Sequence, residues 1–334
     1  MSHILIPKNI IRGGLGKYVE AGVEMPPVML KGHFRVELIS RAGIIKKVLE
    51  FDNLITNGGL DGLATKGLSA GGSSLLTYAA VGTGSTAPTN ADTTLVSEIA
   101  PASTNRTNSN GSVADVLTYV SGTPDYYNFV RTFLFDFTQG NGNLTEIGLF
   151  TASSSGTMWT RQLLKDSGGT PTTIVKTSSD QLKVTYTLQL YPLQSDVTGS
   201  ITISSTSYSY TIRAANVGPT TRYSDFFYYG CLGFAMKAHS DALAARTSEP
   251  SAGSISPTST SIASYSAGNY YLECTAVWSA ATANFGGSGI TAFRIWSPNG
   301  AGSFLMQMGI TGGLPKDTTK QLTLVVRKYW GRYP

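Results

Sequence analysis

The sequence predicts an all-β protein with tandem antiparallel β-sandwich domains, an extended N-terminal arm and one short helix. Short runs of alternating apolar and polar residues, separated by turns rich in glycine, serine and threonine, predict many short strands. Charged residues make up only 13% of the 334 residues, which is about half of the usual share. Since helical periodicity is almost absent, antiparallel sheets account for the pattern better than long solvated helices do.

A weak internal repeat is the reason for expecting two related domains. The apolar positions, the turn and the following strand of residues 144–159 recur in residues 290–305. Both copies follow a strand that begins with a tyrosine pair, at Tyr126 and at Tyr270, and both precede a similar closing strand. A repeat of one supersecondary pattern is more typical of structural and binding proteins than of enzymes.

The predicted organisation begins with a segment that lacks any regular period. Residues 1–30 contain the pair Pro26-Pro27 and three glycines, and they show neither strand nor helix alternation. We interpret this segment as an arm that becomes ordered on a partner, with a disordered terminus as the alternative. The full division is an N-terminal docking arm over 1–32, a first β-sandwich over 33–195, a connecting β-hairpin over 196–215 and a second β-sandwich over 216–334.

The elements of the two domains follow from alternation and turn signals. A turn near Gly43 predicts a hairpin over 33–51, and Thr56 or Asn57 is expected to cap the short helix. A clean alternation over 198–215 predicts the connecting hairpin. Further strands are predicted near residues 78–81, 116–120, 128–137, 145–150, 158–164, 182–191, 230–236, 269–279, 290–297, 303–309 and 320–330.

Residue patterns for catalysis, metals or cofactors are not evident. The loop from Gly82 resembles a phosphate-binding loop, but it lacks the lysine and the helical pattern that should follow. None of the three histidines has a second ligand type at metal spacing. Glu98, Asp136 and Glu146 could approach one another as a glycosidase pair does, but solvent-facing or paired carboxylates are the simpler interpretation. We therefore expect no enzyme, no metal and no cofactor.

Charge and cysteine content limit the classes of partner and of bound metal that we expect. The net charge is +5, and residues 1–50 hold eight Lys or Arg against four Glu. Because these cations are dispersed, nucleic acid is not an expected partner. Cys231 and Cys274 are too few for a disulfide framework or a four-cysteine metal site, so buried free thiols are expected. Neither a signal peptide nor a membrane-spanning run is expected.

Aromatic clusters are the best candidates for a binding surface. Exposed tyrosines on a sheet can stack on sugar rings or anchor a subunit interface, whereas alternate residues of a strand fill the core. Core and subunit contacts are the preferred interpretation, and stacking on glycan is the alternative. The candidates for interface or glycan contact are Tyr228, Tyr229, Tyr270 and Tyr271.

Several segments resemble tailed-bacteriophage virion proteins of the tail-fibre, collar and neck-appendage kind. In chain order they are residues 51–61 (FDNLITNGGLD), 78–95 (YAAVGTGSTAPTNADTTL), 144–150 (LTEIGLF), 196–203 (DVTGSITI) with 210–215 (YTIRAA), and 324–334 (LVVRKYWGRYP). The resemblance covers about 50–334. One position departs from the pattern, because the arginine that usually follows Leu95 closely is displaced to Arg106.

The resemblance implies a non-enzymatic structural subunit of a tail, collar or neck, made in the host bacterial cytoplasm and located in the virion. Its expected partners are copies of itself and other tail or neck proteins. The docking residues of the arm would be Lys8, Arg12, Lys17 and Tyr18. A receptor-binding module that recognises host surface glycan is the alternative function. A depolymerase is disfavoured because no catalytic constellation is evident.

Overall fold

The structure, a computed structural model, describes residues 18–68, 74–203, 205–219, 231, 233, 235–297 and 303–334. Antiparallel strands form several sheets in this part of the chain, accompanied by two short helices, so the all-β class is confirmed. The described residues divide into two compact units. The first unit contains residues 29–191 and 331–334, and the second contains residues 18–28 and 192–330. No helix in these ranges is long and apolar enough to cross a membrane.

The first unit contains two main sheets whose inner faces meet. One sheet has the order β2–β1–β11–β6–β5 and the other the order β3–β9–β8–β4, while β7 pairs with β10. Trp159 of one sheet donates its indole N–H to the hydroxyl of Tyr186 of the other at 2.8 Å, which locates the core between them. The elements are β1 (Tyr18–Ser40), β2 (Ile45–Asp52), β3 (Leu54–Ile55), α1 (Asn57–Gly62), β4 (Tyr78–Gly82), α2 (Ala102–Asn105), β5 (Val116–Val120), β6 (Tyr126–Phe135), β7 (Gly142–Leu144), β8 (Glu146–Phe150), β9 (Met158–Leu163), β10 (Ile174–Lys176) and β11 (Asp180–Tyr191).

The second unit also consists of two sheets. Its elements are β12 (Val197–Ile203), β13 (Thr206–Ala214), β14 (Ala235–His239), β15 (Ser259–Ile262), β16 (Tyr271–Trp278), β17 (Ile290–Ser297), β18 (Ser303–Leu314) and β19 (Gln321–Arg332). One sheet has the order β15–β16–β19–β1 and the other the order β12–β13–β18–β17–β14. The rings of Trp278 and Phe293, one from each sheet, lie 5.5 Å apart, so the two inner faces form one core.

The predicted helix is confirmed, and its cap explains its position. Thr56 Oγ1 accepts the backbone N–H of Gly59 at 2.9 Å and donates to the carbonyl of Met158 at 2.6 Å. The cap thereby ties the helix to β9. The second helix, α2, was not predicted, because its four residues after Pro101 are too few to leave a helical period in the sequence.

Strand β1 begins inside the segment that the sequence predicts to be an arm without strands. The buried residues alternate at Val23 and Met25 and again at Val28 and Leu30. The pair Pro26-Pro27 shifts the alternation between these two stretches, so a single period of two does not run through the segment. The strand therefore extends to Tyr18, and only residues 1–17 of the predicted arm lie outside the described residues.

The two units share one strand order, which the internal repeat predicted. In the first unit β3–β9–β8–β4 and β5–β6–β11–β1 are neighbours, and in the second unit β13–β18–β17–β14 and β15–β16–β19–β1 are neighbours. Corresponding strands follow one another in the same order along the chain. The hairpin over 196–215 forms as predicted, and β13 pairs with β18, so the hairpin belongs to a sheet of the second unit.

Equivalent residues of the two units make equivalent hydrogen bonds. Buried Lys176 donates to the carbonyl of Asp136 at 2.9 Å and to Asn141 Oδ1 at 2.8 Å. At the same place in the repeat, Lys316 donates to the carbonyl of Ser279 at 2.8 Å and to Asn284 Oδ1 at 2.8 Å. We call each of these a lysine clasp. In the first unit the clasp fixes the segment between β6 and β7. In the second unit it fixes the segment between β16 and β17.

Candidate functional site

Most of the residues predicted from the sequence to bind a partner lie outside the described residues. These are Lys8, Arg12, Lys17, Tyr228 and Tyr229. Tyr18 is the first residue of β1, and its side chain is also outside the description. Docking through the arm therefore stays a prediction. Tyr270 and Tyr271 are described in full, and they define one candidate surface in the second unit.

Tyr270 lies in a turn, and its role in contacting a partner or a glycan stays a prediction. Its φ is 51°, in the left-handed region that side chains other than glycine rarely adopt. Its carbonyl accepts the N–H of Trp330 at 3.0 Å, and its own N–H donates to the hydroxyl of Tyr265 at 3.3 Å. Tyr265 stacks on Trp330 with centroids 5.8 Å apart. Tyr270 thus closes the end of the β16–β19 pair.

Tyr271 lies on the outer face of the same pair, in a half-buried cluster with two residues of β19. Its ring is 5.0 Å from the ring of Tyr329 and 4.9 Å from the guanidinium carbon of Arg327. Arg327 donates through Nε to Glu273 at 2.7 Å and lies 3.4 Å from Glu24. The cation occupies one face of the Tyr271 ring, so a ligand could stack only on the remaining surface of this cluster.

Electrostatics keep Tyr329 and Arg327 in their ordinary protonation states at neutral pH. Burial, followed by the charge of Glu24, raises the pKa of Tyr329 to about 12, so its hydroxyl keeps its proton. Burial works to lower the pKa of Arg327, but the hydrogen bond to Glu273 and the nearby charges outweigh it and raise the pKa. The cluster therefore offers hydroxyl donors and a neutralised cation, which suit hydrogen bonding rather than proton transfer.

A second tyrosine cluster lies in the first unit, and the sequence did not single it out as a site. Tyr191 of β11 stacks on Tyr333 with centroids 3.9 Å apart and an interplanar angle of 24°. Tyr126 of β6 lies on the other side, 5.2 Å from Tyr191. Tyr191 itself is buried, whereas Tyr126 and Tyr333 are half-buried. Tyr333 is 142 residues from its partner, which is why local pattern did not reveal the cluster.

Polar side chains form a row beside these tyrosines on the same face of the sheet. The register places Lys31, Gln189 and Asn128 opposite one another on β1, β11 and β6, two residues along from the aromatic row. Gln189 Oε1 accepts the hydroxyl of Tyr191 at 2.8 Å. Asn128 Oδ1 is buried and has no hydrogen-bond partner among the described residues. A buried carboxamide oxygen without a partner is costly, and it marks a place where a donor is expected.

An ion trio borders the polar row. Asp52 of β2 lies 2.8 Å from Lys31 Nζ and 3.0 Å from His33 Nδ1. Burial works to raise the pKa of Asp52, but the hydrogen bonds and charges of Lys31 and His33 outweigh it and hold the pKa below its ordinary value. The trio is at least partly exposed and the charges of Lys31 and Asp52 offset each other, so it presents donors and acceptors without a strong field.

The carboxylates considered for glycosidase chemistry each have a structural partner. Buried Glu146 accepts from Arg161 Nε at 2.8 Å and from the N–H groups of the loop after β4. Arg161 also binds Asp92 at 2.7 Å and the carbonyl of Thr86 at 2.7 Å. Glu98 binds Arg106 at 2.6 Å, and the displaced arginine is thereby buried. This arrangement holds the loop 83–98 in place and offers no free acid and base pair.

In the second unit, charged and neutral side chains together hold the corresponding loop. Arg294 lies 2.8 Å from Glu249, and Asp241 accepts the N–H of Ser251 at 2.7 Å. Buried Gln307 of β18 accepts the N–H of Ala244 at 2.7 Å and donates to the carbonyl of Ala245 at 3.1 Å. The His239 side chain is buried, and its Nδ1 atom lies 3.2 Å from the carbonyl oxygen of Ala252. Burial lowers the pKa of His239, so its ring is neutral in the fold.

Metal chemistry and thiol chemistry have little support in the described part of the chain. Those residues contain no group of three or more His, Cys, Asp or Glu that could hold a metal ion. Burial raises the pKa of Cys231 to about 12 and that of Cys274 to about 11, so both thiols stay protonated, as buried free cysteines do. Burial lowers the pKa of the neighbouring Lys328 to about 8, and its Nζ donates to the carbonyl of Gly233 at 3.0 Å.

The geometry therefore leaves two candidate surfaces, the tyrosine cluster of the second unit around Tyr271 and the tyrosine cluster of the first unit around Tyr191. Both lie on the outer face of a sheet, and both combine half-buried aromatic rings with hydrogen-bonding groups. Comparisons of the chain with models of protein families, with curated proteins and with solved structures find no match.

Proposed function

We propose that this chain is a structural subunit of a tailed-bacteriophage virion, of the tail-fibre, collar or neck kind, and that it assembles with copies of itself and with other virion proteins. The ordered segments that resemble such proteins support this proposal, as does an all-β chain with one strand order used twice. The role requires no catalysis and no cofactor, because it depends on burial of surface between subunits.

The observation that carries the proposal is the chemistry of the sheet edges. Strand β5 ends one sheet of the first unit and β15 ends one sheet of the second, each with a single neighbour among the described strands. Val116 of β5 is 46% exposed and Ile262 of β15 is 45% exposed. Natural edge strands usually carry charges or prolines that prevent pairing. Edges with exposed branched apolar residues fit strands that neighbouring subunits cover.

Sedimentation velocity of the purified chain, together with a double variant at the two edges, tests this proposal. We expect the wild-type chain to form a homo-oligomer and Val116→Lys with Ile262→Lys to sediment as a monomer. The matched control is Val96→Lys, because Val96 is 54% exposed but lies in a loop and not on an edge strand. A wild-type chain that stays monomeric at every concentration would contradict the proposal.

The position in the particle has its own test. Antibody labelling of purified virions, with a density map of the intact particle, should place the chain in the tail or neck. Absence of the chain from purified virions would overturn the virion role, whatever its oligomeric state.

The second candidate function is recognition of host surface glycan by the tyrosines of the second unit. The half-buried pair Tyr271 and Tyr329 favours it, because two rings on an outer sheet face can hold a sugar. Binding of a glycan without release of products would support a receptor-binding module, whereas shortened glycans would support a depolymerase. Loss of binding in Tyr271→Ala would assign the site to this cluster.

A further inference from the structure

We infer that the outer face of the first unit's sheet is a carbohydrate-binding site, formed by the tyrosine cluster Tyr126, Tyr191 and Tyr333 and by the polar row beside it. This site is distinct from the tyrosines of the second unit that the sequence suggested. It does not depend on the structural role of the chain, because a virion subunit with or without this site would assemble by the same edges.

The aromatic part of the site offers ring faces in a fixed orientation. Tyr191 is held between Tyr333, at 3.9 Å, and Tyr126, at 5.2 Å, so the outer rings rest on a buried one. The backbone N–H of Tyr333 donates to the carbonyl of Leu30 at 2.7 Å, which fixes the chain that carries this ring. Rigid, half-buried rings bind a sugar face with little loss of conformational entropy.

The polar part of the site lies at the right distance for sugar hydroxyls. Side chains two residues apart along a strand are separated by about 7 Å on one face. A pyranose on the tyrosines therefore brings its hydroxyls to the row of Lys31, Gln189 and Asn128. The oxygen of half-buried Asn128 has no partner among the described residues, and after a rotation of its side chain toward the surface it would accept one of these hydroxyls. Burial without a donor costs free energy that such a ligand would recover.

The electrostatics favour a carbohydrate over a polyanion or a charged peptide. Lys31 lies 2.8 Å from the carboxylate of Asp52, so the lysine charge beside the tyrosines is already neutralised. Burial, followed by the neighbouring tyrosines and Asp52, raises the pKa of Tyr191 to about 12, so its hydroxyl stays protonated. Neutral amides, hydroxyls and one shared ion trio match the alternating donors and acceptors of sugar hydroxyls.

The test uses the full-length chain on an array of defined bacterial oligosaccharides, namely lipopolysaccharide cores, O-antigen repeats and peptidoglycan fragments. The affinity for the strongest array ligand is then measured by calorimetry for the wild type, Tyr126→Ala, Asn128→Leu, the competing second-unit variant Tyr271→Ala and the control Val96→Lys, which changes an exposed loop residue. We expect each first-unit variant to bind at least about tenfold more weakly and the Val96→Lys control to bind as the wild type does. Unchanged thermal midpoints would show that the variants fold.

Asn128→Leu keeps the size of the side chain and removes only its polar atoms, so it guards against a failure of folding in Tyr126→Ala. An array without any bound oligosaccharide would overturn the inference. Binding that survives both first-unit variants would also overturn it, and loss of binding in Tyr271→Ala alone would transfer the glycan function to the second unit. None of these outcomes bears on the sedimentation test, so the two proposals fail separately.

Discussion

In the first unit a buried arginine of β9, Arg161, holds the loop that follows β4, whereas in the second unit a buried neutral glutamine of β18, Gln307, holds the loop that follows β14. The register pairs Gly82 with Glu146 in one unit and His239 with Ala292 at the same place in the other. A Cβ on Gly82 would lie 2.6 Å from Glu146 Oε1, so the small residue is required opposite the large one. The large polar residue of this pair is Glu146 on β8 in the first unit, whereas in the second unit it is His239 on β14, the strand equivalent to β4.

The same comparison extends to the next strand. Arg161 of β9 and Gln307 of β18 occupy equivalent register positions, opposite Gly148 and Arg294. Both side chains are buried, and both bind carbonyls or amides of the loop. At this register position the polar anchor is therefore retained while its charge is not, and the ion pair of the second unit lies on the neighbouring strand, between Arg294 of β17 and Glu249 of the loop. The difference predicts that the two units respond differently to the loss of one anchor.

The largest expected effect is that of Arg161→Met in the first unit. The substitution leaves the carboxylate of Glu146 buried without its cation, which costs about 3–5 kcal/mol of the free energy of unfolding. Hydrogen exchange resolved by peptide should show the loss in β8 and β9 and not in β17 and β18. Equal losses in both units would contradict independent anchoring.

Gln307→Leu should have a smaller effect, confined to the second unit. It removes no charge, but it leaves the buried N–H of Ala244 and one or more loop carbonyls without their partner, at a cost of about 1–3 kcal/mol. The same exchange experiment measures it. A loss as large as that of Arg161→Met would show that charge does not distinguish the two anchors.

The lysine clasps provide the matched comparison. Lys176→Met and Lys316→Met remove equivalent buried cations, each from a carbonyl and an asparagine oxygen, and Lys316 also donates to the carbonyl of Thr282. We expect each variant to lower the stability of its own unit by about 1–2 kcal/mol, because the methionine refills the space but leaves two or three acceptors unbound. Chemical denaturation followed by exchange in each unit would check the equality. If the stability of one unit alone stayed unchanged, the repeat would not extend to this contact.

The smallest effect should be the pH dependence of the second unit. Because burial holds the pKa of His239 below its ordinary value of about 6.5, the unfolded chain takes up a proton that the folded chain resists. Stability of this unit is therefore full above about pH 6.5 and falls as the pH decreases below it. Unfolding between pH 5 and 7, compared with that of His239→Gln, measures the slope. An unchanged slope in the variant would exclude His239 as the cause.

Much of the fold could be predicted from the sequence, because strands and turns leave local patterns. The α1 cap at Thr56, the hairpin over 196–215 and the repeat were visible from neighbouring residues. The first part of β1 was not, since Pro26-Pro27 shifts its alternation. The sequence repeat aligned Tyr270 with Tyr126, which is wrong by one residue. The strand register matches Tyr270 with Tyr127.

The candidate sites were harder to predict, because they depend on contacts between distant segments. Tyr271 lies in an aromatic cluster and Tyr270 in a left-handed turn, a difference that has no local signal in a tyrosine pair, and the contact role of both stays a prediction. The anchor of Glu146 spans 62 residues to Gly84. The stack of Tyr191 and Tyr333 joins two segments that only the finished sheet brings together.

Strand β1 also constrains the order in which the chain can fold during its synthesis. Residues 18–28 belong to the second unit, in which β1 has β19 as its neighbour. That partner leaves the ribosome roughly 300 residues later, a delay on the order of 15–60 s at about 5–20 residues per second. Throughout this interval Val23 and Met25 have no completed core to enter. The nascent chain must therefore keep an apolar half-strand from aggregating until its last strand is made, and a ribosome that stalls before β19 releases a product whose second unit cannot close.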